Sequence, residues 1–296
     1  MRTPRLSSVA LAAALSLTLA ACGGGDDGDD TAAAPVEEDV QFEAGTKMAE
    51  IADKGELRVG TKFDQPLFGL KNLEGEPEGF DVEVAKIIAA KLGLSADQIT
   101  FTETVSANRE PFLENGQVDL VAATYTINEK RDQVVDFAGP YFLAGQDILV
   151  KKGNPDKIMG PKDLAGKKVC SVAGSTPAGY VQTEVPTAEL VLTDAYTKCR
   201  DALQNGQVQA VTTDNVILSG YVDAAPEDFE LVGEPFTEEP YGIGVPEGQE
   251  EWCEFINETL AEAAEDGSLQ KAFDATAGEV IDRKVAPLEE PFGCDT

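Results

Sequence analysis

Short apolar runs alternate with stretches of helical periodicity from residue 46 onward. Residues 57–60, 99–104 and 118–123 have the length and the β-branched content of strands. Between the first two, apolar residues recur at the spacing of one helix face: Phe80, Val84, Ile87, Ile88 and Leu92. A short helix around Phe112 precedes the third. This β-α-β-α-β order predicts a mainly parallel sheet with helices on both of its faces.

The same order of elements returns near residue 147. Strands are predicted at 147–151, 168–172, 190–192 and 208–213, with one helix starting at Ser175-Thr176-Pro177 and another covering 195–205. The tail holds a strand at 241–245 and a helix at 250–265, which is too little for a third domain. We therefore expect the tail to complete the first lobe, so that the chain crosses between two lobes twice.

Two segments 90 residues apart resemble each other. Residues 115–124 read NGQVDLVAAT and residues 205–214 read NGQVQAVTTD, each a helix end, a glycine and a strand that ends in polar residues. The likeness is either the coincidence of a common turn or the mark of two lobes built on one plan. Ligands of open α/β sheets bind beyond the carboxyl ends of the strands. Thr124 and Asp214 occupy those ends, one in each lobe, and predict a cleft between them.

The amino-acid composition excludes several classes of function. The chain of 296 residues has 54 acidic and 23 basic residues, no histidine and a formal charge of −31. Such a charge repels phosphate backbones, so nucleic-acid binding is not expected. The absence of histidine excludes Ser-His-Asp triads and His-ligated metals. We expect no metal and no cofactor.

The first 45 residues have the composition of an export signal and a spacer. Arg2 and Arg5 precede an apolar stretch too short to span a bilayer, which ends in LAAC at residues 19–22. This resembles the bacterial lipobox and predicts a signal peptide over 1–21 and lipidation of Cys22; an ordinary secretory signal is the alternative. Residues 23–45 contain eight acidic and no basic residues and predict a disordered tether rather than a calcium loop. Loss of residues 1–21 changes the charge to −33.

Four further cysteines follow Cys22. An even number in an exported protein indicates two disulfides, for which three pairings exist. We predict that sequence neighbours pair, as Cys170–Cys199 and Cys253–Cys294. A zinc site would require closely spaced pairs of cysteines, and the sequence has none.

Several motifs resemble those of one known family in the order in which that family has them. They are LRVGT at 57–61, GFDVEVA at 79–85, TYTINEKR at 124–131, VDFAGPY at 135–141, GST at 174–176 and YGIGVP at 241–246. Over residues 46–286 the chain is similar to the solute-binding proteins of ABC importers for polar amino acids. With GTKFDQP at 60–66 it is most similar to the lipid-anchored glutamate-binding proteins of high-GC Gram-positive bacteria.

The resemblance implies a two-lobed α/β fold of the type II periplasmic-binding-protein class. Lobe 1 would comprise residues 46–145 and 242–296, lobe 2 would comprise 146–241, and hinges would lie near 145–147 and 239–242. The protein would be an extracytoplasmic monomer, anchored by lipid to the cell membrane, that closes on one amino acid and delivers it to an ABC permease. A sensor lipoprotein and an enzyme similar to cyclohexadienyl dehydratases are the alternatives.

The resemblance also implies roles for particular residues. Arg131 would bind the α-carboxylate of the ligand, although an ion pair with Asp132 or Asp136 is the plain alternative. Asp214 would bind the α-ammonium group unless it only caps the next helix. Lys62 suits a ligand with a side-chain carboxylate and so favours glutamate or aspartate, with glutamine and asparagine next. The remaining expected ligand contacts are Phe63, Thr124, Thr126, Ser175 and Thr176, of which Phe63 could equally be part of the core.

Overall fold

The structure is a computed structural model that describes residues 35–285 and 293–294. Its strands are β1 (Leu57–Thr61), β2 (Asp64–Gln65), β3 (Gly69–Lys71), β4 (Pro77–Glu78), β5 (Ile99–Glu103), β6 (Leu120–Thr126), β7 (Val135–Ala144), β8 (Gln146–Lys151), β9 (Lys168–Val172), β10 (Glu189–Thr193), β11 (Ala210–Asp214), β12 (Phe229–Leu231) and β13 (Glu239–Pro246). Its α-helices are α1 (Lys47–Lys54), α2 (Phe80–Lys91), α3 (Arg109–Glu114), α4 (Glu129–Asp132), α5 (Thr176–Glu184), α6 (Tyr196–Gln204), α7 (Asn215–Ala224), α8 (Glu250–Glu265) and α9 (Ser268–Thr276).

Two five-stranded sheets form the centres of two lobes. The sheet of lobe 1 has the order β5-β1-β6-β13-β7, and that of lobe 2 has the order β10-β9-β11-β8-β12. In each sheet the fourth strand runs antiparallel to both of its neighbours, while the other pairs are parallel. The predicted two-lobed α/β fold is confirmed. The mainly parallel sheets each contain one reversed strand.

The reversed strands are the points at which the chain changes lobes. Strand β7 ends in lobe 1 at Ala144, and after Gly145 the chain continues as β8 of lobe 2. The return is made by β13, whose first residue, Glu239, pairs with Ala144. Because both crossings lie side by side in this pairing, the connection between the lobes is a two-stranded ribbon.

An aromatic core lies under the cleft in lobe 1. The ring of Phe80, the first residue of α2, packs against those of Phe68, Phe142 and Phe273 at centroid distances of 5.3–5.9 Å. The ring of Tyr241 extends this cluster at 5.9 Å from Phe68. All five rings are almost fully buried. The cluster supports from below the residues of α2 and β13 that face the cleft.

The segment just before α1 differs from the sequence prediction of a disordered tether that runs to residue 45. The Glu37 N–H donates to Ala90 O at 3.0 Å, the Glu37 carboxylate pairs with Lys91 at 2.6 Å, and the Phe42 ring packs edge-on against Phe255. The prediction of disorder rested on the acidic composition of residues 23–45 as a whole, although the apolar Phe42 packs this stretch against lobe 1. The predicted signal peptide, Cys22 and the first part of the tether lie outside the described residues.

Both predicted disulfides are present. Cys170 on β9 is bonded to Cys199 on α6, and Cys253 on α8 is bonded to Cys294. Among the described residues, no helix is both long and apolar enough to cross a membrane.

Sequence patterns missed several elements. The long strand β7 contains a proline, and one aspartate and one glycine interrupt its apolar run. The small sheet β2-β3-β4 consists of strands of two or three residues. Helices α7 and α9 were not predicted either. In each case the segment is too short or too mixed for a period to stand out, and its conformation depends on packing against the rest of the lobe.

Candidate functional site

A small cavity with a volume of about 10 Å³ lies between the two lobes. Lobe 1 and lobe 2 each contribute a polar wall to it. Its lining residues are Gln65, Ser106, Arg109, Thr124 and Thr126 from lobe 1, and Ser175, Thr176, Pro177, Tyr196, Thr213, Asp214 and Ile217 from lobe 2. The carboxyl ends of β6 and β11 meet here, as expected for an α/β ligand site.

The backbone of β6 is distorted where it reaches the cavity. Strand β13 pairs Gly242 with Tyr125 but Gly244 with Val121, so β6 bulges between these pairs. Within the bulge Thr124 has a φ of 43°, a region that a β-branched residue adopts only at a cost. The distortion turns the Thr124 N–H towards the buried carboxylate of Asp81, to which it donates at 2.7 Å. Such strain next to a cavity is typical of functional sites.

Two buried cations flank the lobe 1 wall. Lys62 is 3% exposed and Arg109 is 2% exposed. Lys62 Nζ donates to Ser106 Oγ at 2.8 Å, and the pKa of Lys62 is lowered to about 7, first by burial and then by the nearby charge of Arg109. Neither residue forms an ion pair with any other described residue. Because an unpaired buried cation is costly, this wall is suited to receive an anion.

Main-chain oxygens hold the Arg109 guanidinium rigidly. It donates to Ser106 O at 3.3 Å and to the carbonyls of Ala123 and Thr124 at 3.2 Å, and it lies 4.2 Å from the centre of the Tyr125 ring. These contacts fix the position of the charge. The positive charge of Arg109 is therefore held at a fixed position in the lining of the cavity.

Arg131 faces a groove next to the cavity, and the two spaces share Ser175 and Thr176 as lining. Its guanidinium donates to Thr126 O and, across the cleft, to Gly174 O at 3.0 Å, and its Nε lies 3.3 Å from Glu110. Burial lowers the pKa of Arg131 to about 10. An arginine has five N–H donors, and these contacts use three of them. Two donors remain for a carboxylate.

Asp214 forms the opposite, acidic end of the cavity. Its Oδ2 accepts a hydrogen bond from the Tyr241 hydroxyl at 2.6 Å, whereas its Oδ1 is buried and has no partner among the described residues. Burial raises the pKa of Asp214 to about 7, and the nearby Glu239 carboxylate adds to the increase. The side chain does not cap α7. An unsatisfied buried carboxylate oxygen is an acceptor for a cationic donor such as an ammonium group.

The amino end of α5 brings hydroxyl groups to the cavity from lobe 2. Ser175 Oγ accepts from the Ala178 N–H at 3.1 Å, so it is the cap of α5. Thr176 Oγ1 donates to Glu239 at 2.7 Å. Both predicted roles of Ser175, as cap and as cleft residue, are compatible with this arrangement.

Three further contacts join the lobes. Gly174 O of lobe 2 accepts from the Nη2 atoms of both Arg109 and Arg131 of lobe 1. The Tyr196 N–H at the start of α6 donates to the Asp64 carboxylate at 2.6 Å. Gly174 has a φ of 80°, and a Cβ atom built on it would lie 2.8 Å from Ala107 Cα. The lobes therefore meet backbone to backbone at this point.

Comparison with known proteins places this geometry in a family. Residues 57–278 match the model of the bacterial extracellular solute-binding proteins, family 3. The chain belongs to this family.

Relatives and solved structures agree with that assignment. The chain is 38% identical over 286 residues to a glutamate-binding protein of Corynebacterium efficiens, covering 93% of this chain and 91% of the relative. It is 41% identical over 228 residues to an ABC transporter glutamine-binding protein of Bacillus subtilis, covering 76% and 82%. The crystal structure of a solute receptor for L-cysteine of Neisseria gonorrhoeae superposes with a TM-score of 0.76 at 32% identity, covering 82% and 99%. The fold is thus that of a type II periplasmic amino-acid-binding protein.

Most of the residues expected to form the binding site of this family 3 protein lie together. Thr124, Thr126, Ser175, Thr176 and Asp214 line the cavity. Arg131 lines the adjoining groove, and the ion pair that forms there is with Glu110. Lys62 lies behind Ser106, to which it donates.

Phe63 is the exception, because its ring does not line the cavity. It is half-buried and packs under the ammonium group of Lys71, 5.0 Å from the ring centre. The ring therefore lies against Lys71 and not among the residues that line the cavity, and the expected contact of Phe63 with the ligand stays a prediction.

Several residues of the site were not predicted from the sequence, among them Gln65, Ser106, Arg109 and Glu239. Gln65 Oε1 pairs with the Thr124 hydroxyl at 2.9 Å, while its Nε2 is buried without a described partner. Arg109 carried one usable signal, since it is a basic residue between a predicted strand and a predicted helix of a very acidic chain. The others are ordinary surface residues by type, and only folding buries them.

Proposed function

We propose that the protein is a lipid-anchored extracytoplasmic binding protein that captures an acidic amino acid, glutamate or aspartate, by lobe closure and delivers it to an ABC importer. The observation that carries this proposal is a pair of buried cations, Arg109 in the cavity lining and Lys62 behind Ser106, together with an Asp214 oxygen that has no described partner. An amino acid with a second carboxylate would satisfy both the cations and the carboxylate. The similarity to a glutamate-binding protein supports the same conclusion.

The polar groups of the site suggest how the ligand would be held. The two spare donors of Arg131 and the first amides of α5 suit the α-carboxylate. Asp214 suits the α-ammonium group, and Lys62, Arg109 and Gln65 Nε2 suit the side-chain carboxylate. Closure follows because the ligand contacts both lobes and so stabilises the closed form more than the open form.

Glutamine is the second candidate ligand. A glutamine-binding relative is 41% identical to this chain, and the Gln65 amide could pair with a side-chain amide as well as with a carboxylate. A sensor would use the same cleft. An enzyme is disfavoured because catalysis needs a general acid placed at the reacting atoms, and the cavity chemistry is accounted for by binding.

The proposal includes a lipid anchor because Cys22 and the residues before it resemble a lipobox. Docking of residues 37–42 on lobe 1 leaves the preceding acidic residues as the spacer between lipid and protein.

Calorimetric titration of the delipidated protein with the twenty common amino acids tests the function. We expect glutamate or aspartate to bind most tightly and to raise the melting temperature. The absence of binding by all twenty would contradict an amino-acid-binding role. Tight binding of glutamine with none of glutamate would contradict only the acidic preference.

Replacement of Lys62 by methionine tests that preference directly. The change removes a buried charge that the free protein holds at a cost, so the melting temperature without ligand should rise. Glutamate should bind about thirtyfold more weakly because its side-chain carboxylate loses a buried partner, whereas glutamine should lose less than threefold. Isothermal titration with both ligands measures the difference, and Lys71→Met, an exposed lysine on β3, is the control. An equal loss for both ligands would remove Lys62 from side-chain recognition.

A further inference from the structure

A buried carboxylate stands at the crossing between the lobes, next to the cavity. Glu239 is the first residue of β13 and is 3% exposed. It forms no ion pair with the described residues. Its partners are three threonine hydroxyls: Thr126 Oγ1 at 2.8 Å and Thr176 Oγ1 at 2.7 Å, both on Oε2, and Thr237 Oγ1 at 2.9 Å on Oε1.

These contacts determine where the hydroxyl protons point. A threonine hydroxyl has one proton to donate and two lone pairs that accept. An ionised carboxylate can only accept, so Thr126 and Thr176 each donate their single proton to Glu239. Both hydroxyls also line the cavity. Towards the cavity they can therefore present only lone pairs, that is, only acceptors.

The neighbouring group has the same character. Asp214 also lines the cavity, and its buried Oδ1 is an acceptor without a partner among the described residues. Glu239 lies close enough to Asp214 for the two negative charges to interact. Thr126, Thr176 and Asp214 thus contribute acceptors to the cavity, whose lining also includes the cationic Arg109.

We infer that Glu239 is a positioning residue that fixes the Thr126 and Thr176 hydroxyls as acceptors, so that with Asp214 they select ligands bearing an α-ammonium group. This inference rests on the proposed function and deepens it. It assigns both hydroxyls to the ammonium group, and it leaves the carboxylates of the ligand to Arg131, Arg109 and Lys62. Because Thr126 belongs to lobe 1 and Thr176 to lobe 2, the full acceptor set exists only when the lobes are closed.

The test compares L-glutamate with glutarate, which has both carboxylates but no amino group, in wild-type protein and in Glu239→Gln. A glutamine amide donates one hydrogen bond to a threonine oxygen, which frees that hydroxyl to donate into the cavity. We expect the affinity for glutamate to fall at least tenfold and the affinity for glutarate to stay within threefold or to improve. Discrimination between the two ligands, measured by calorimetry, should therefore decrease at least threefold.

Two additional variants keep the result interpretable. Glu238→Gln changes the exposed neighbouring glutamate and should leave both affinities unchanged. Thr176→Val removes one acceptor and keeps the shape of the side chain, so it should lower glutamate affinity and spare glutarate, even if Glu239→Gln fails to fold.

The outcomes separate this inference from the proposed function. If the wild-type protein binds no amino acid, the proposed function fails. If wild-type binds glutamate but Glu239→Gln or Thr176→Val loses glutamate and glutarate by the same factor, Glu239 only holds the lobes together and the inference is overturned. A selective loss of glutamate supports it.

Discussion

Replacement of Asp214 by asparagine should weaken the binding of every α-amino acid that the protein recognises. The buried Asp214 Oδ1 has no described partner, and an ammonium group would supply the donor that this oxygen lacks. Truncation of one partner in a buried charged pair typically costs about 3 kcal/mol, or roughly a hundredfold in Kd. Calorimetry with the tightest-binding amino acid measures the loss.

Stability should change in the opposite direction. Burial raises the pKa of Asp214 to about 7, which means that burial disfavours the ionised form in the folded protein. The native state therefore binds more protons than the unfolded state between the ordinary pKa of an aspartate and pH 7, and this carboxyl group becomes less stabilising as the pH rises through that range. At pH 8 the neutral asparagine variant should melt at the same temperature as wild-type or higher.

This combination distinguishes a binding role from a structural one. Asp223→Asn, an exposed aspartate on α7 of the same lobe, should change neither affinity nor melting temperature. If Asp214→Asn lowers the melting temperature sharply, or if its affinity stays within threefold of wild-type, Asp214 is a structural residue.

Replacement of Gly174 by alanine should prevent full closure of the lobes. The added Cβ would lie 2.8 Å from Ala107 Cα and 2.9 Å from Ala107 N, and backbone atoms cannot move aside as a flexible side chain can. Overpacking of this kind costs about 2 kcal/mol, which corresponds to about thirtyfold weaker binding if it acts only on the closed form. Small-angle scattering should show that saturating ligand compacts the wild-type protein and not the variant.

A second glycine supplies the matched control. Gly153 in lobe 2 has a φ of 78°, against 80° at Gly174, but an added Cβ meets nothing within 4 Å. Gly153→Ala therefore carries the same backbone penalty without the contact between lobes. It should lower stability and leave affinity and compaction unchanged. Equal effects of the two substitutions on affinity would mean that backbone strain, and not blocked closure, is responsible.

The net negative charge of the protein opposes the approach of an anion, so its few buried cations matter for the proposed ligand preference. The predicted mature protein carries a formal charge of −33, of which eight charges lie in residues 23–45. An anionic ligand must approach against this field. The proposed acidic preference therefore depends on the local arrangement of Lys62, Arg109 and Arg131, which Ser106, main-chain carbonyls and Glu110 hold in place.

Sequence alone determined the features that depend on local order. Strand and helix periods gave the two α/β units, and helix α8 spans the predicted 250–265. The spacing of the cysteines led to the two correct disulfides. The motif around Thr126 and Arg131 indicated the family. These features are readable because each depends on residues that are close together in the chain.

Only the tertiary structure decided what each polar residue does. Thr126 and Glu239 are 113 positions apart, Asp64 and Tyr196 are 132 apart, and Lys62 and Ser106 are 44 apart, yet each pair is hydrogen-bonded. A chain pattern cannot show that Arg109 is buried without an ion pair to another described residue, or that Phe63 packs against Lys71. Burial, charge pairing and the direction of a hydroxyl proton are properties of contacts between distant segments, and these contacts exist only after the lobes have folded and closed.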